Sequence, residues 1–240
     1  MSFLFNHIFY YPLYNALVWL TDKLPGHHIA LSVIVLTILV RLILLPFQHK
    51  SIRTQMKMKE IDGRVREVRE RLSKNKEEQT REIMKLYRAH GVNPLSTFGL
   101  ILIQLPILIA IYQAFRVLPL SSEHLYSFVT MPAQVNLIFL GIDLASRNIP
   151  LAILVGLSQY VQIKLSMPPV AKRTEGASFS DDLARSMQLN MQYFMPVLNA
   201  IIATTLPSVL SLYWLTSNII MAAHEFIVRR KAIAISTVTQ

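Results

Sequence analysis

The 240-residue chain contains no cysteine. Disulfides and thiolate chemistry are thereby excluded, and no lipoprotein-type acylated cysteine is expected. Catalytic signatures are missing too. The sequence has no phosphate-binding Gly-rich loop, no His-Glu-x-x-His and no Gly-x-Ser-x-Gly elbow. Neither nucleotide hydrolysis nor a cofactor or metal is expected, and the chain does not read as an enzyme. The seven histidines are scattered. His27-His28 flank the end of an apolar run and His224 lies near a basic tail, so they read as interface residues rather than ligands. The N-terminus has no basic n-region and no small-residue cleavage site, so no cleaved signal peptide is expected. It is not Arg- and Ser-rich like a transit peptide either.

What the chain does have is apolar length. Hydrophobic residues make up 52% and the mean hydropathy is +0.40, and runs long enough to cross a bilayer recur. The first, Ile29 to Phe47, reads IALSVIVLTILVRLILLPF, with Arg41 as its only charge. A guanidinium cannot shed its proton to enter lipid. Holding it near the bilayer centre costs about 2.5–3.5 kcal/mol on insertion scales. Such a charge persists where it faces a wet cavity or an anionic partner. The alternative is snorkelling toward the end near Lys50, because Arg41 lies past the midpoint of the run.

The rest of the chain divides by composition. Residues 1–26 are aromatic-rich and interrupted by Asn6, His7, Pro12 and Asn15. They read as an amphipathic interfacial helix with Tyr10, Tyr11, Tyr14 and Trp19 at headgroup level, the alternative being a further span. The first span falls in 27–49, with Pro46 expected to kink its end. Residues 50–93 carry 13 Lys/Arg and seven Asp/Glu. Ile61, Val65, Val68 and Leu72 form a helical seam, Ser73 to Lys76 break it, and Ile83, Met84, Leu86 and Tyr87 resume an apolar stripe. The pattern predicts a soluble hairpin of two antiparallel helices. A short dimeric coiled coil is the alternative, but the seam lasts few turns. Pro46 and Gly91-Val92-Asn93-Pro94 read as hinges on either side. Four more spans follow within 94–228, at about 95–117, 149–167, 189–206 and 209–228. They are separated by a connection at 119–148, a loop at 168–188 and a turn at Pro207-Ser208. Residues 229–240 form a short basic tail. The class is an all-α integral membrane protein with five transmembrane helices.

Charge sets the orientation. The 50–93 hairpin, the 168–188 loop with Lys164, and the tail hold 20 of the 24 lysines and arginines. By the positive-inside rule these segments are cytoplasmic, which puts the N-terminus outside and the C-terminus inside. Polar residues inside the spans form the candidate site: Thr37 and Arg41 in the first, Gln104 in the second, Gln159 and Gln162 in the third, and Trp214, Ser217 and Asn218 in the fifth. Interhelical packing by hydrogen bonds is the plain reading of any one of these. Arg41 favours a functional reading of the set, because a buried cation needs polar company.

Several stretches together carry a resemblance. They are RLILLPFQHKS at 41–51, GVNPLSTFGLILIQLPILIAIYQAF at 91–115, FLGIDLASRNIPLAILVGLSQYVQIKLS at 139–166, MQYFMPVLNA at 191–200 and LPSVLSLYWLTSNII at 206–220. In this order, with a basic hairpin after the first span, the chain resembles the YidC/Oxa/Alb family of membrane protein insertases over nearly its whole length. The resemblance implies that the five spans surround a hydrophilic groove, open to cytosol and lipid and closed outside, with Arg41 supplying a positive field. Nascent membrane proteins would be the substrates. The ribosome, the signal recognition particle receptor and a Sec-type translocon are candidate partners, alongside membrane lipids; DNA is not one. The location implied is the bacterial plasma membrane. The sequence departs from the pattern in having no large periplasmic domain, no acylated cysteine and only a short tail. Two other readings remain open at this point: a small anion transporter or channel subunit using Arg41, and a membrane assembly scaffold. The spans show no internal repeat of the kind transporters carry. In intact vesicles, cysteines replacing Ser73 and Ser121 should react with an impermeant thiol reagent from opposite sides. Labelling of both from one side would remove the five-span topology.

Overall fold

The computed structural model describes residues 3–93, 95–116, 120–167 and 185–238. The side chains of 95–104, of Arg116 and Arg229 and of 231–238 lie outside what it describes, as do Pro94, Pro119 and most of the 168–188 loop. The described chain is mostly helical. After a turn at Phe3–Phe5 and a π-turn at Asn6–Tyr10 comes α1 (Tyr11–Lys23), then α2 (Ile29–Glu60), α3 (Asp62–Arg71), α4 (Lys76–Ala89) and α5 (Leu95–Arg116). A two-stranded hairpin of β1 (Ile138–Phe139) and β2 (Ile142–Asp143) precedes α6 (Ile149–Ser166). A second π-turn at Asn190–Phe194 leads into α7 (Met195–Thr205), and α8 (Ser208–Val238) closes the chain. Two of these helices, α2 and α6, are long and apolar enough to cross a membrane among the described residues; the stretch Leu105–Phe115 is apolar but shorter.

Three expectations are corrected. First, α2 does not stop or hinge at Pro46 but continues 14 residues past it to Glu60. At about 1.5 Å per residue the helix is about 48 Å long, well beyond the hydrocarbon thickness of about 30 Å. Proline removes one backbone donor, but Leu44 before it and Gln48, Ser51 and Ile52 after it are buried, so packing holds the helix on both sides. The first break comes at Ile61, where the backbone leaves the helical region at φ −99° and ψ 5°. Second, Tyr10 and Tyr14 do not lie on an exposed face of the interfacial segment. They are buried together with Leu17 and Val18, and of the four aromatic residues only Trp19 is exposed. The Tyr14 hydroxyl donates to the Ser121 carbonyl at 2.6 Å and accepts from the Ser121 amide at 2.7 Å. Burial raises the Tyr14 hydroxyl above the usual phenol range. Third, the chain beyond Val228 continues α8 to Val238 instead of forming a separate tail.

The small helical hairpin has its own core. Ile61, Val65 and Val92 are buried with Met58, Ile83, Leu86 and Tyr87 packed around them. Asn75 caps α4 by accepting from the Glu78 amide at 3.2 Å. Gln79 Nε2 donates across the turn to the Arg69 carbonyl at 2.8 Å. Its ion pairs are exposed and worth little individually.

The main helices are arranged by contacts at increasing residue numbers. Arg41 meets Ser217 and His49 meets His224, so α2 and α8 run parallel. Ser208 meets Ser146 and Asn218 meets Ser158, so α8 and α6 also run parallel. The pairs Gly156–Ala200 and Tyr160–Tyr193 set α7 antiparallel to α6. At the N-terminal ends of α2, α6 and α8 the 120–148 connection is tied down at several points. Asn15 donates to the His124 carbonyl at 2.9 Å and accepts from the Tyr126 amide at 2.6 Å. The Ile29 amide donates to the Asn136 carbonyl at 3.1 Å. The Ser208 and Val209 amides donate to the Ser146 and Leu144 carbonyls at 2.8 and 3.0 Å. The β-hairpin turns at Leu140-Gly141, both with positive φ (52° and 79°), as a two-residue turn that follows strand twist requires.

Gly156 lets α6 and α7 touch. A Cβ there would lie 2.8 Å from the Ala200 Cβ and 3.0 Å from the Pro196 carbonyl oxygen. Gly156→Leu should therefore force the two helices apart and destabilise the protein by about 1–3 kcal/mol. Thermal unfolding in detergent should show a lowered midpoint, whereas Leu157→Ala, on an exposed face, should leave it nearly unchanged.

Candidate functional site

The structure places five of the eight sequence-predicted polar residues, Arg41, Gln159, Trp214, Ser217 and Asn218, on three helix–helix seams. On the α2–α8 seam, the Arg41 guanidinium donates to the Ser217 hydroxyl. Ser217 is buried and Arg41 half-buried, in an apolar stretch of α2 where Leu42 and Ile43 are exposed and Leu44 is buried. Thr37, one turn before Arg41, is buried and turns its hydroxyl back to the Val33 carbonyl at 2.6 Å. It lies near the cation along the helix but spends its donor on its own backbone.

On the α6–α8 seam, Asn218 Nδ2 donates to Ser158 Oγ at 3.0 Å and approaches the Val155 carbonyl at 3.4 Å. Trp214 is half-buried and packs on the cluster of Ala152, Val155 and Ala203, small side chains that leave room for an indole. On the α6–α7 seam, Asn199 Nδ2 donates to Gln159 Oε1 at 2.5 Å. Gln162 instead donates along its own helix to Ser166 Oγ at 3.0 Å. The side chain of Gln104 lies outside the described residues.

Arg41 and Ser217 are thus brought into contact, while Gln159 and Asn218 each hold a different neighbouring helix. Ser158 and Asn199 supply the partners, and sequence reasoning had not singled them out. Only their polarity inside an apolar run could have marked them. A half-buried cation beside a neutral hydroxyl makes an electropositive point in an apolar setting, able to attract carboxylates or polar peptide groups. Among the described residues, no three His, Asp or Glu converge as a metal site would require.

The order of these residues along the chain is matched by a family model. The model described as 60Kd inner membrane protein aligns with residues 19–234, which takes in α2, every seam above and nearly all of α8. The chain belongs to this family. Among its relatives is the membrane protein insertase MisCA of Bacillus subtilis (strain 168), 32% identical over 225 residues, covering 91% of this chain and 77% of that protein. The membrane protein insertase YidC of Oceanobacillus iheyensis is 31% identical over 239 residues, covering 96% and 86%. The YidC of Fusobacterium nucleatum is 30% identical over 213 residues, covering 88% and 90%. The resemblance to the YidC/Oxa family read from the motifs is therefore correct.

Within this family member, the Asn199–Gln159 bond should act as a fastener between α6 and α7. Asn199→Leu should cost about 0.6–1.7 kcal/mol, the range for interhelical hydrogen bonds in membranes. Combining it with Gln159→Leu should cost less than the two singles summed. A double-mutant cycle on detergent unfolding measures this, and strict additivity would show that the pair does not interact.

Proposed function

We propose that this chain is a membrane protein insertase of the bacterial plasma membrane, moving nascent membrane proteins from cytosol to bilayer. Its work needs no nucleotide hydrolysis. The single observation that carries the reading is Arg41, a permanent cation held within an apolar helix at the α2–α8 seam. In this reading five spans surround a hydrophilic groove that faces the cytosol and lipid, with the N-terminus outside and the C-terminus cytoplasmic. The 120–148 connection, bonded to α1, α2 and α8, closes the outer end.

The physical account is differential solvation. A substrate's short acidic or polar tail must cross about 30 Å of hydrocarbon, at a cost of several kcal/mol per unsatisfied group. Arg41 and the polar side chains around it hold such a group partway and lower that barrier. The substrate's apolar segment then passes sideways into lipid, and its burial there drives the process. The exposed apolar side chains of α6, such as Ile153, Leu157 and Val161, suit that exit face. The basic hairpin, with a local charge of about +6 from its 13 basic and seven acidic residues, suits recruitment of anionic partners. These include lipid headgroups, ribosomal RNA and an acidic targeting receptor; a Sec-type translocon is a further candidate partner.

Arg41→Ala should leave the protein inserted and folded, since it removes a costly buried charge. It should impair insertion of substrates with acidic translocated tails, by about tenfold if one charge-assisted contact is lost. Arg41→Lys should retain most activity, because a field needs only positive charge; an anion-selective site built on the guanidinium fork would lose it. Insertion assays in vesicles with acidic- and neutral-tailed substrates make the measurement. Wild-type insertion of acidic tails by Arg41→Ala would reduce Arg41 to a snorkelling residue.

A further inference from the structure

The α2–α8 seam repeats itself. Seven residues after Arg41 lies Gln48, and seven after Ser217 lies His224. Seven residues are two helical turns, about 10 Å, and return to nearly the same face. Since the two helices run parallel, the same seven-residue step brings Gln48 on α2 and His224 on α8 to one level of the seam, a second polar rung beyond Arg41 and Ser217. The His49 and His224 rings, 6.0 Å apart, confirm that the helices are still in contact at this level.

This second rung has unused polar atoms. Gln48 is 1% exposed, yet its Nε2 has no hydrogen-bond partner, and neither has the buried Nδ1 of His224. A buried donor or acceptor left unpaired is destabilising, so a polar guest is favoured there. The rung also continues a stripe. Ser51, buried, lies one turn beyond Gln48, and Gln55 Nε2 reaches Ser51 Oγ at 3.4 Å one turn further. Gln55, Ser51, Gln48 and Arg41 are spaced four, three and seven residues apart, which puts them on one face of α2. The stripe leads from the hairpin end of the helix directly to the cation.

We propose that Gln48 and His224 form a relay site that binds the carboxylate or amide groups of an incoming substrate tail before they reach Arg41. The inference rests on the insertase reading and adds a specificity-determining pair to it. Its recognition chemistry is neutral hydrogen bonding: the Gln48 amide donates to a carboxylate or carbonyl oxygen, and His224 Nδ1 donates or accepts according to its tautomer. Polar tails gain from the rung, and apolar tails have nothing to offer it.

The test uses the full chain in vesicles with two single-span substrates, one with aspartates in its translocated tail and one with an apolar tail, read as protease-protected fragment. Gln48→Leu should lower the ratio of aspartate-tail to apolar-tail insertion about fivefold, the worth of one hydrogen bond. Its melting temperature in detergent should hold or rise, since an unpaired buried group is removed. His224→Leu should change the ratio in the same direction. An unchanged ratio would mean that only water occupies the rung and would overturn the proposal. So would an equal loss with both substrates alongside a lowered melting temperature, which marks a packing role. As a measurement independent of folding effects, a cysteine replacing His224, in a chain otherwise free of cysteine, should crosslink to a cysteine in the aspartate tail. Crosslinking at a cysteine replacing Ser217 but none at 224 would overturn the relay. Wild-type vesicles inserting no more than empty ones would overturn the insertase reading and the relay with it, whereas wild-type insertion with a silent Gln48→Leu overturns the relay alone.

Discussion

A guanidinium that cannot neutralise itself, set within an apolar helix, is the constraint around which the rest of this structure is arranged. Ser217 supplies one oxygen to Arg41. A neutral hydroxyl offsets only part of the hydration that a cation gives up on leaving water. A cation held on the seam separates it from an ordinary contact between apolar helices. The polar stripe on α2 and the paired polar residues on α8 lie along the same seam.

The remaining interhelical hydrogen bonds do a different job. Asn218 with Ser158 and Gln159 with Asn199 link α8 to α6 and α6 to α7 in succession. Each is worth on the order of 0.6 kcal/mol in a membrane, too little to dominate stability. Their value is directional: a hydrogen bond fixes rotation and depth of one helix against another, which dispersion between Leu and Ile side chains specifies poorly. Gly156 adds close approach at the α6–α7 contact, and Trp214 fits against small side chains at the α6–α8 contact. Polar pairs and small residues together hold the helices that present Arg41.

The two ends of the helical array differ in kind. Where α2, α6 and α8 begin, backbone and side-chain hydrogen bonds bind the 120–148 connection to three helices, and Asp143 is itself held by Ser146 Oγ at 2.5 Å and the Ala145 amide. Those bonds keep the Asp143 carboxyl below the usual carboxylate range, Ser146 being the larger cause. Where α2 leaves the array it runs on to Glu60, and among the described residues the core beyond it is the small cluster of Ile61, Val65 and Val92. A few buried apolar side chains support a locally cooperative unit with far less burial than the main helices have. The chain is thus held closely where α2, α6 and α8 begin and supported lightly in the hairpin.

Sequence alone determined the family, the helical class, the positions of the main apolar helices and the identity of Arg41 as the outlying charge. These rest on local quantities: hydropathy over a run, helical periodicity, turn residues, and the cost of one charge among apolar neighbours. It read Pro46 as a kink and hinge at the end of the span, because the local penalty of proline was weighed without the packing that carries α2 through it. It also left Tyr10 and Tyr14 at a surface, because aromatic residues at a membrane interface and in a protein core have the same local pattern. Only the tertiary structure decided that Tyr14 spends its hydroxyl on Ser121, 107 residues away, that Ser217 meets Arg41 across 176 residues, and that Gln159 chooses Asn199 while Gln162 turns to its own helix. Those pairings depend on the rotation and depth of packed helices, which no local property of the chain encodes.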